Sequence, residues 1–386
     1  MVNMDHNLFK YATSELSQDA FLCWLLSYAM EDGCDSDPIL HDCALAMLER
    51  MCRRDDEQRV IPTIVTRILK QYHHMDVVVC FVSNKGEAYH LIIEDKTWTN
   101  EHDDQLIRYM KALPEFLRKD FPGSEPDAAH VLGVYYKSSL QGDLIGVKQS
   151  NYALMLRPDI LSVLESYKNR MSNAEKKSEI FMSYFEKLYS DKKAAEQYTE
   201  SSPATWREPQ IEKYFESIRS DLAERCGERM AWDYVNNPSG TFLALYSSGR
   251  GIKEENTNAA CSVYLQLEFT ARNDDKGIAG KGRFCVKLCV QPVEETKKLS
   301  SDERNSIAEK LLDRVLKRKE GKYTPNCYHF IKPSRLRAAT YMTVGVHSLF
   351  DKDMPEMDHR SLTDEILRYC DHYTAFCQYL EKEGIS

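Results

Sequence analysis

The chain has no apolar stretch of transmembrane length, no basic-then-apolar leader, no paired C-x-x-C spacing, no internal repeat and no low-complexity tract. The first two absences exclude a helical membrane span and predict a cytoplasmic protein without a membrane partner. The third removes the usual signature of a zinc site. The twelve cysteines are scattered, with Cys23 and Cys43 in helix-like stretches and Cys285 and Cys289 in a strand-like run. They are expected to be buried, reduced thiols. A surplus of positive charge is missing too: 51 Lys and Arg stand against 60 Asp and Glu. That balance argues against a tight, non-specific coater of nucleic acid, but not against a local basic groove.

What is present is a chain of 386 residues with 42% hydrophobic residues, enough for two domains with real cores. The charge is uneven. Residues 1–200 hold 23 Lys and Arg against 32 Asp and Glu, and residues 201–386 hold 28 of each. The acidic excess therefore lies in the first half.

The same half contains the most informative run. Met75-Asp-Val-Val-Val-Cys-Phe-Val82 is β-branched and aromatic, Ser83-Asn-Lys-Gly86 has turn chemistry, and Tyr89-His-Leu-Ile-Ile93 resumes the apolar run into Glu94-Asp95-Lys96. This predicts a largely buried hairpin. Three charges at the border of a core need partners, a metal or water. Successive strand side chains point to opposite faces, so Glu94 and Lys96 share a face and Asp95 turns away. Asp76 and Glu94 then suit a hard cation such as Mg²⁺, which is held by one or two carboxylates plus waters and phosphate. Such an ion polarises a phosphodiester and lowers the pKa of an attacking water. Lys96 beside that water could orient it or stabilise charge developing on phosphorus. On the following helix, Gln105 and Tyr109 lie four apart and share a face.

The order Asp76, hairpin, Glu94-Asp95-Lys96, then Gln105-x-x-x-Tyr109 resembles the PD-(D/E)XK nuclease superfamily. The Gln-x-x-x-Tyr spacing is similar to an extra motif of its RecB-like branch. Asn7-Leu-Phe-Lys-Tyr-Ala-Thr-Ser-Glu15 resembles the first helix of uncharacterised bacterial members. The likeness covers roughly residues 7–150. Met75, not Pro, precedes Asp76, a departure that is common in the superfamily. The resemblance implies an α/β, restriction-endonuclease-like mixed sheet flanked by helices. It also implies an acid from the first helix, best matched by Glu15, with Asp19 one turn later as the alternative. In this reading Asp76, Glu94 and Glu15 hold Mg²⁺, for which Mn²⁺ can substitute. Lys96 positions water, Gln105 steadies Lys96 or that water, and Tyr109 supports the helix or touches the nucleic-acid backbone.

Blander roles compete. Glu15 suits the positive end of its own helix after Ser14, and Asp19 reads more simply as an ordinary first-turn acid. Tyr109 fits equally as a packed aromatic. His73 and His74 read as polar strand-end residues, and Glu101, His102, Asp103 and Asp104 as a solvated helix start.

Further along, helical periodicity covers about 15–30, 38–53, 101–119 and 156–190, with a strand-rich core at about 60–96. Ala128–Tyr136 reads as a strand beside the hairpin, and Lys137 in the loop after it is a weak candidate for phosphate contact. The first domain spans 1–191, and the polar stretch 192–207 with Ser-Ser-Pro203 reads as a linker. Residues 208–386 form an α+β C-terminal domain for recognition, sensing or dimerisation. Its elements are a helix from Glu208, strands at 241–246, 262–270 and 283–290, a helix at 300–319, a strand near 340–346 and a last helix at 361–383. Basic residues cluster from Lys310 to Arg337, with Arg335 and Arg337 as weak nucleic-acid contacts; a solvated helix face explains them as well. The resulting expectation is a metal-dependent nuclease acting on DNA, with a bacterial defence or restriction-type role suggested only by analogy. RNA stays an alternative because the metal chemistry is indifferent to the sugar, and a homodimer is left open. The competing class is a catalytically inactive protein of the same fold that binds nucleic acid or a partner.

Overall fold

The computed structural model describes the whole chain except residues 1–5, 54–58, 97–104, 124, 141–146, 148–149, 238–239, 254–257, 274–276, 278, 295–297, 320–329, 332, 334–335, 337, 352–356 and 384–386. The chain divides into two compact units, Met1–Lys193 and Ala194–Ser386.

The first unit is built on a five-stranded sheet in sequential order: β1 (Pro62–Tyr72), β2 (Met75–Ser83), β3 (Ala88–Lys96), β4 (Val131–Lys137) and β5 (Ala153–Leu156). β1, β2 and β3 pair antiparallel, while β3–β4 and β4–β5 are parallel. A tight turn closes the β2–β3 hairpin, where Ser83 N donates to Glu87 O at 2.9 Å. Gly86 supplies the positive φ, 79°, that the turn needs. Parallel neighbours cannot be joined so tightly, and the β3–β4 crossover carries helix α3 (Gln105–Asp120).

The central strands are buried on both faces, which is why they read as continuous apolar runs. Alternation decides the partner of each residue. Val77, Val79, Leu91 and Ile93 join the core shared with α1 (Glu15–Ser27), α2 (Pro38–Met51), α4 (Arg157–Asn173) and α5 (Glu179–Glu196). Val78, Ile92 and Tyr135 face the other way, onto Leu106, Leu113 and Leu117 of α3. Each fully buried side chain of this kind contributes about 1.5–3 kcal/mol. At the start of α2, Asp37 accepts from the backbone N–H of Ile39 and Leu40, and Pro38 occupies a first-turn position where no donor is missed. The expected mixed sheet flanked by helices is thus present, with the short β5 as an added strand.

Residues 192–207 are not an extended spacer. α5 continues to Glu196, and short 3-10 turns follow at Gln197–Thr199 and Pro203–Thr205. Trp206 is fully buried against Tyr214, at 4.8 Å between ring centroids.

The second unit has a six-stranded antiparallel sheet: β6 (Met230–Asn237), β7 (Gly240–Ser247), β8 (Arg250–Ile252), β9 (Ala259–Thr270), β10 (Lys281–Pro292) and β11 (Tyr341–Phe350). Their order is β11-β10-β9-β7-β6, with β8 pairing β9. The helices are α6 (Glu208–Cys226), α7 (Ser301–Lys319) and α8 (His359–Glu383). One sheet face is apolar. Its Phe269 meets Phe215 of α6 at 5.0 Å, and its Phe284 meets Tyr369 of α8 at 5.6 Å. A disulfide joins Cys226 to Cys370 across 144 residues. That corrects the expectation of thiols throughout; the pairing depends on α6 meeting α8, which no local spacing encodes. No described helix is long and apolar enough to cross a membrane.

Candidate active site

Asp76 reaches the end of the sheet through an unusual turn. Where β1 turns into β2, Gln71 near the end of β1 and His73 and His74 after it take φ of 52°, 48° and 70°, the left-handed region that costs a non-glycine residue about 1 kcal/mol or more. Contacts from both helical layers hold the turn in place. Gln71 Nε2 donates to Asp19 Oδ2 of α1 at 3.0 Å and reaches Asp76 Oδ1 at 3.5 Å. His73 Nε2 pairs with Asp120 Oδ2 at 2.7 Å, and its ring stacks on Phe116 at 4.0 Å. The His74 carbonyl accepts from Tyr109 OH at 2.7 Å.

The hairpin register, which pairs Val77 with Ile93, sets Asp76 beside the last residues of β3. Asp76 Oδ2 accepts the backbone N–H of Asp95 at 2.9 Å. Lys96 Nζ lies 2.7 Å from Glu94 Oε1 and 3.7 Å from Asp76 Oδ2. From α3, Gln105 Nε2 donates to the same Glu94 oxygen at 3.1 Å and to Tyr109 OH at 2.9 Å. The five residues Asp76, Glu94, Lys96, Gln105 and Tyr109 therefore form one cluster, hydrogen-bonded from Lys96 through Glu94 and Gln105 to Tyr109 and joined to Asp76 by the longer Lys96 ion pair. Glu94 is fully buried, and its second oxygen, Oε2, has no hydrogen-bond partner among the described residues.

Electrostatics follow from that burial. Desolvation pushes the Glu94 carboxyl up to about 7, against the pull of Lys96 and with a further push from Asp76. Asp76 is likewise raised by burial, opposed by Lys96 and by the Asp95 N–H. Burial acts to lower the Lys96 ammonium, but Glu94, Asp76 and Glu15 outweigh it and hold the group above its ordinary value.

Behind the strand end runs a second polar network. Asp95 points away from Glu94 and is fully buried, with Gln18 Nε2 of α1 donating to its Oδ1. Tyr184 OH donates to Gln18 Oε1 at 3.0 Å and contacts Tyr136 OH at 3.0 Å. Asp19 is 1% exposed, so it is not an ordinary first-turn acid on a solvated helix end. Its carboxyl meets that of Asp95, and burial raises both, Asp95 strongly. Glu15 opens α1 one turn before Asp19, and its charge bears on Asp76, Glu94, Asp95 and Lys96. Sequence reasoning passed over Gln18 and Gln71. The helical face shared by Glu15, Gln18 and Asp19 was the signal for the first, and Gln71 carried none.

Lys137 is the final residue of β4, opposite Lys96 in the parallel register, and is 2% exposed. It is a buried strand-end residue and not part of a loop. Arg335 and Arg337 lie outside the described residues, as do Glu101 to Asp104. The side chains of the basic run on the last turns of α7 also lie outside them.

Among the described residues no three acidic, histidine or cysteine side chains converge as a ready cage for a metal. The donors at the strand end are carboxylate oxygens, with one buried and unpartnered. That set fits a hard divalent cation held by one or two carboxylates with water and substrate filling the rest. It does not fit zinc, which favours nitrogen and sulfur.

No curated protein and no solved structure matches the chain. A family model described as the PD-(D/E)XK nuclease superfamily matches residues 6–187, an interval that contains the whole sheet, α1 and α3. With the strand-end cluster lying inside that match, residues 6–187 of this chain belong to the PD-(D/E)XK nuclease superfamily.

Proposed function

We propose that the protein is a metal-dependent nuclease that hydrolyses phosphodiester bonds of DNA, using Mg²⁺ with Mn²⁺ as a substitute. The observation that supports this most is Glu94. It is a fully buried carboxylate with one oxygen held by Lys96 and Gln105 and the other without a partner among the described residues, beside a second carboxylate on Asp76. Such a group is costly to bury unless something else is meant to meet it.

Asp76 and Glu94 would hold the cation, with Glu15 near enough to add its charge. When bound, a divalent ion supplies charge on the phosphate and an acidified water. The chain's own groups do the positioning. Lys96 stands between the two carboxylates, where its N–H donors can face the attacked phosphate and hold water in line. Gln105 fixes the Glu94 carboxylate in one orientation, and Tyr109 locks α3 to the turn that carries Asp76. The Gln105–Tyr109 pair also supports placement in the RecB-like branch. The second unit then serves as a recognition or sensor module, and a defence or restriction-type role is the biological setting this reading suggests.

The test uses purified full-length protein with labelled single- and double-stranded DNA and RNA, in Mg²⁺, Mn²⁺ or EDTA, beside Asp76→Ala. Cleavage that needs metal and disappears in the variant supports the reading, and the labelled arms separate DNA from RNA. Metal-dependent cleavage that persists in Asp76→Ala removes the site. No cleavage of any substrate favours a non-catalytic binding protein of this fold.

A further inference from the structure

The sheet of the second unit has two unlike faces. On β9, Val263, Leu265, Leu267 and Phe269 alternate inward and are fully buried. The intervening Tyr264, Gln266 and Glu268 face a concave surface that encloses about 840 Å³. This lies within the roughly 300–1,000 Å³ range of small-molecule sites.

The floor of this concavity is built from fixed polar groups. Glu268 is 7% exposed and takes three donors: Arg283 Nη2 at 2.6 Å, Lys287 Nζ at 2.8 Å and Gln266 Nε2 at 3.1 Å. Lys287 also donates to Thr343 Oγ1 at 2.8 Å. Burying an ion cluster costs several kcal/mol per charge and stabilises a fold poorly compared with apolar side chains. A sheet face that could have been apolar instead carries two carboxylates, Glu268 and Asp233, and two cations, Arg283 and Lys287. The charges of this lining balance, and the half-exposed Arg283 guanidinium is the cation a ligand can reach, since Lys287 is largely covered. The walls are aromatic: Tyr264 and Tyr341 meet edge to face at 6.3 Å, and Tyr246 lines the neighbouring strand.

We propose that this concavity is a binding site for a mononucleotide. A planar base would stack on Tyr341 or Tyr264, its polar edge would meet Gln266 and the groups around Glu268, and its phosphate would reach Arg283. A single-stranded polynucleotide fits less well. Tracking a strand needs a row of cations along the backbone, and the described lining offers only Arg283 and Lys287.

The test is calorimetric titration of the full chain with ATP, GTP, CTP, UTP and their monophosphates, in EDTA. Thermal melts check folding. Arg283→Ala and Tyr341→Ala alter exposed side chains, so the fold should stand. At least one nucleotide should bind and raise the melting temperature. Each variant should weaken it by about tenfold or more, as loss of a stacked ring or a charge-assisted bond does. Tyr341→Phe, which keeps the ring, should bind like wild type, and so should Asp76→Ala, whose change lies in the other unit. Several results overturn the proposal: no nucleotide binds, the two alanine variants bind as tightly as wild type, or binding disappears in Asp76→Ala. Binding of a single-stranded oligonucleotide where mononucleotides fail overturns it in favour of a strand-binding face.

Discussion

Replacing Lys96 by Met removes the ammonium 2.7 Å from Glu94 Oε1 while keeping an unbranched side chain. Cutting one partner from a buried ion pair ordinarily costs about 3–5 kcal/mol, because the other charge stays behind in a poor solvent. Here Glu94 can take up a proton instead. Burial already pushes its carboxyl up to about 7 with Lys96 present, and losing the ammonium moves it higher. At pH 7 the variant should therefore hold Glu94 mostly neutral, and the expected loss of stability is only about 1–2 kcal/mol. The same proton competes with a cation: each unit by which the carboxyl lies above the solution pH weakens binding about tenfold. Cleavage should fall by about 10²–10³ or more, as when a donor to developing charge is removed. Urea unfolding at pH 7 reads the stability, Mn²⁺ calorimetry at pH 7 and at higher pH reads the competition, and single-turnover cleavage reads the chemistry. A loss of about 4 kcal/mol or more at pH 7 would show that Glu94 stays ionised and refute the protonation argument. Cleavage at the wild-type rate would take Lys96 out of the reaction.

Asp76→Asn keeps an acceptor for the Asp95 N–H, so the fold should stand while cation binding and cleavage fall together; calorimetry beside the nuclease assay checks both. Tyr109→Phe removes the bond to the His74 carbonyl and should cost about 1 kcal/mol, with a modest drop in cleavage, read by melts and kinetics. The Glu94 carboxyl is raised from 4.5 in the open chain to about 7 in the fold. The folded state thus holds this proton more tightly, a stabilisation complete below pH 4.5 and lost as pH rises through 7. In EDTA, the stability difference between wild type and Glu94→Gln should change across that window and be flat above it, which unfolding curves at several pH values will show. Reducing the Cys226–Cys370 bond frees a 144-residue loop, for which chain entropy gives at most about 5 kcal/mol. The second unit should therefore melt earlier with reductant, and an unchanged melt with two extra titratable thiols would contradict the pairing.

The β2–β3 hairpin was legible because its information is local: an acid, an apolar run, a turn and a second run ending in Glu94-Asp95-Lys96. Gln105 and Tyr109 were legible for the same reason, since helical spacing alone puts them on one face. What was not legible depends on contacts between distant segments. Gln71 looks like any polar strand-end residue until its left-handed backbone turns it toward Asp19, 52 positions away. Asp19 looks like a first-turn acid until α1 packs across the strand end and buries it. β5 is only four residues long and emerges from a loop, too short to show a period. β6 mixes polar and aromatic residues, so its pairing with β7 stood out less than the β9–β10 alternation. The apolar run ends before Lys137, which hides its place in the strand, whereas the parallel register with Lys96 carries the strand one residue further.

The central claim is that the buried Glu94 carboxylate, with Asp76, is the cation-dependent heart of phosphodiester cleavage. Single-turnover cleavage of a labelled DNA by Glu94→Gln in saturating Mg²⁺ tests it most directly. The substitution keeps the side chain's shape, a hydrogen-bonding partner for Gln105 and the hydrophobic surroundings. The account predicts a folded protein whose cleavage rate falls about a thousandfold or more. A folded Glu94→Gln that cuts at the wild-type rate would contradict it.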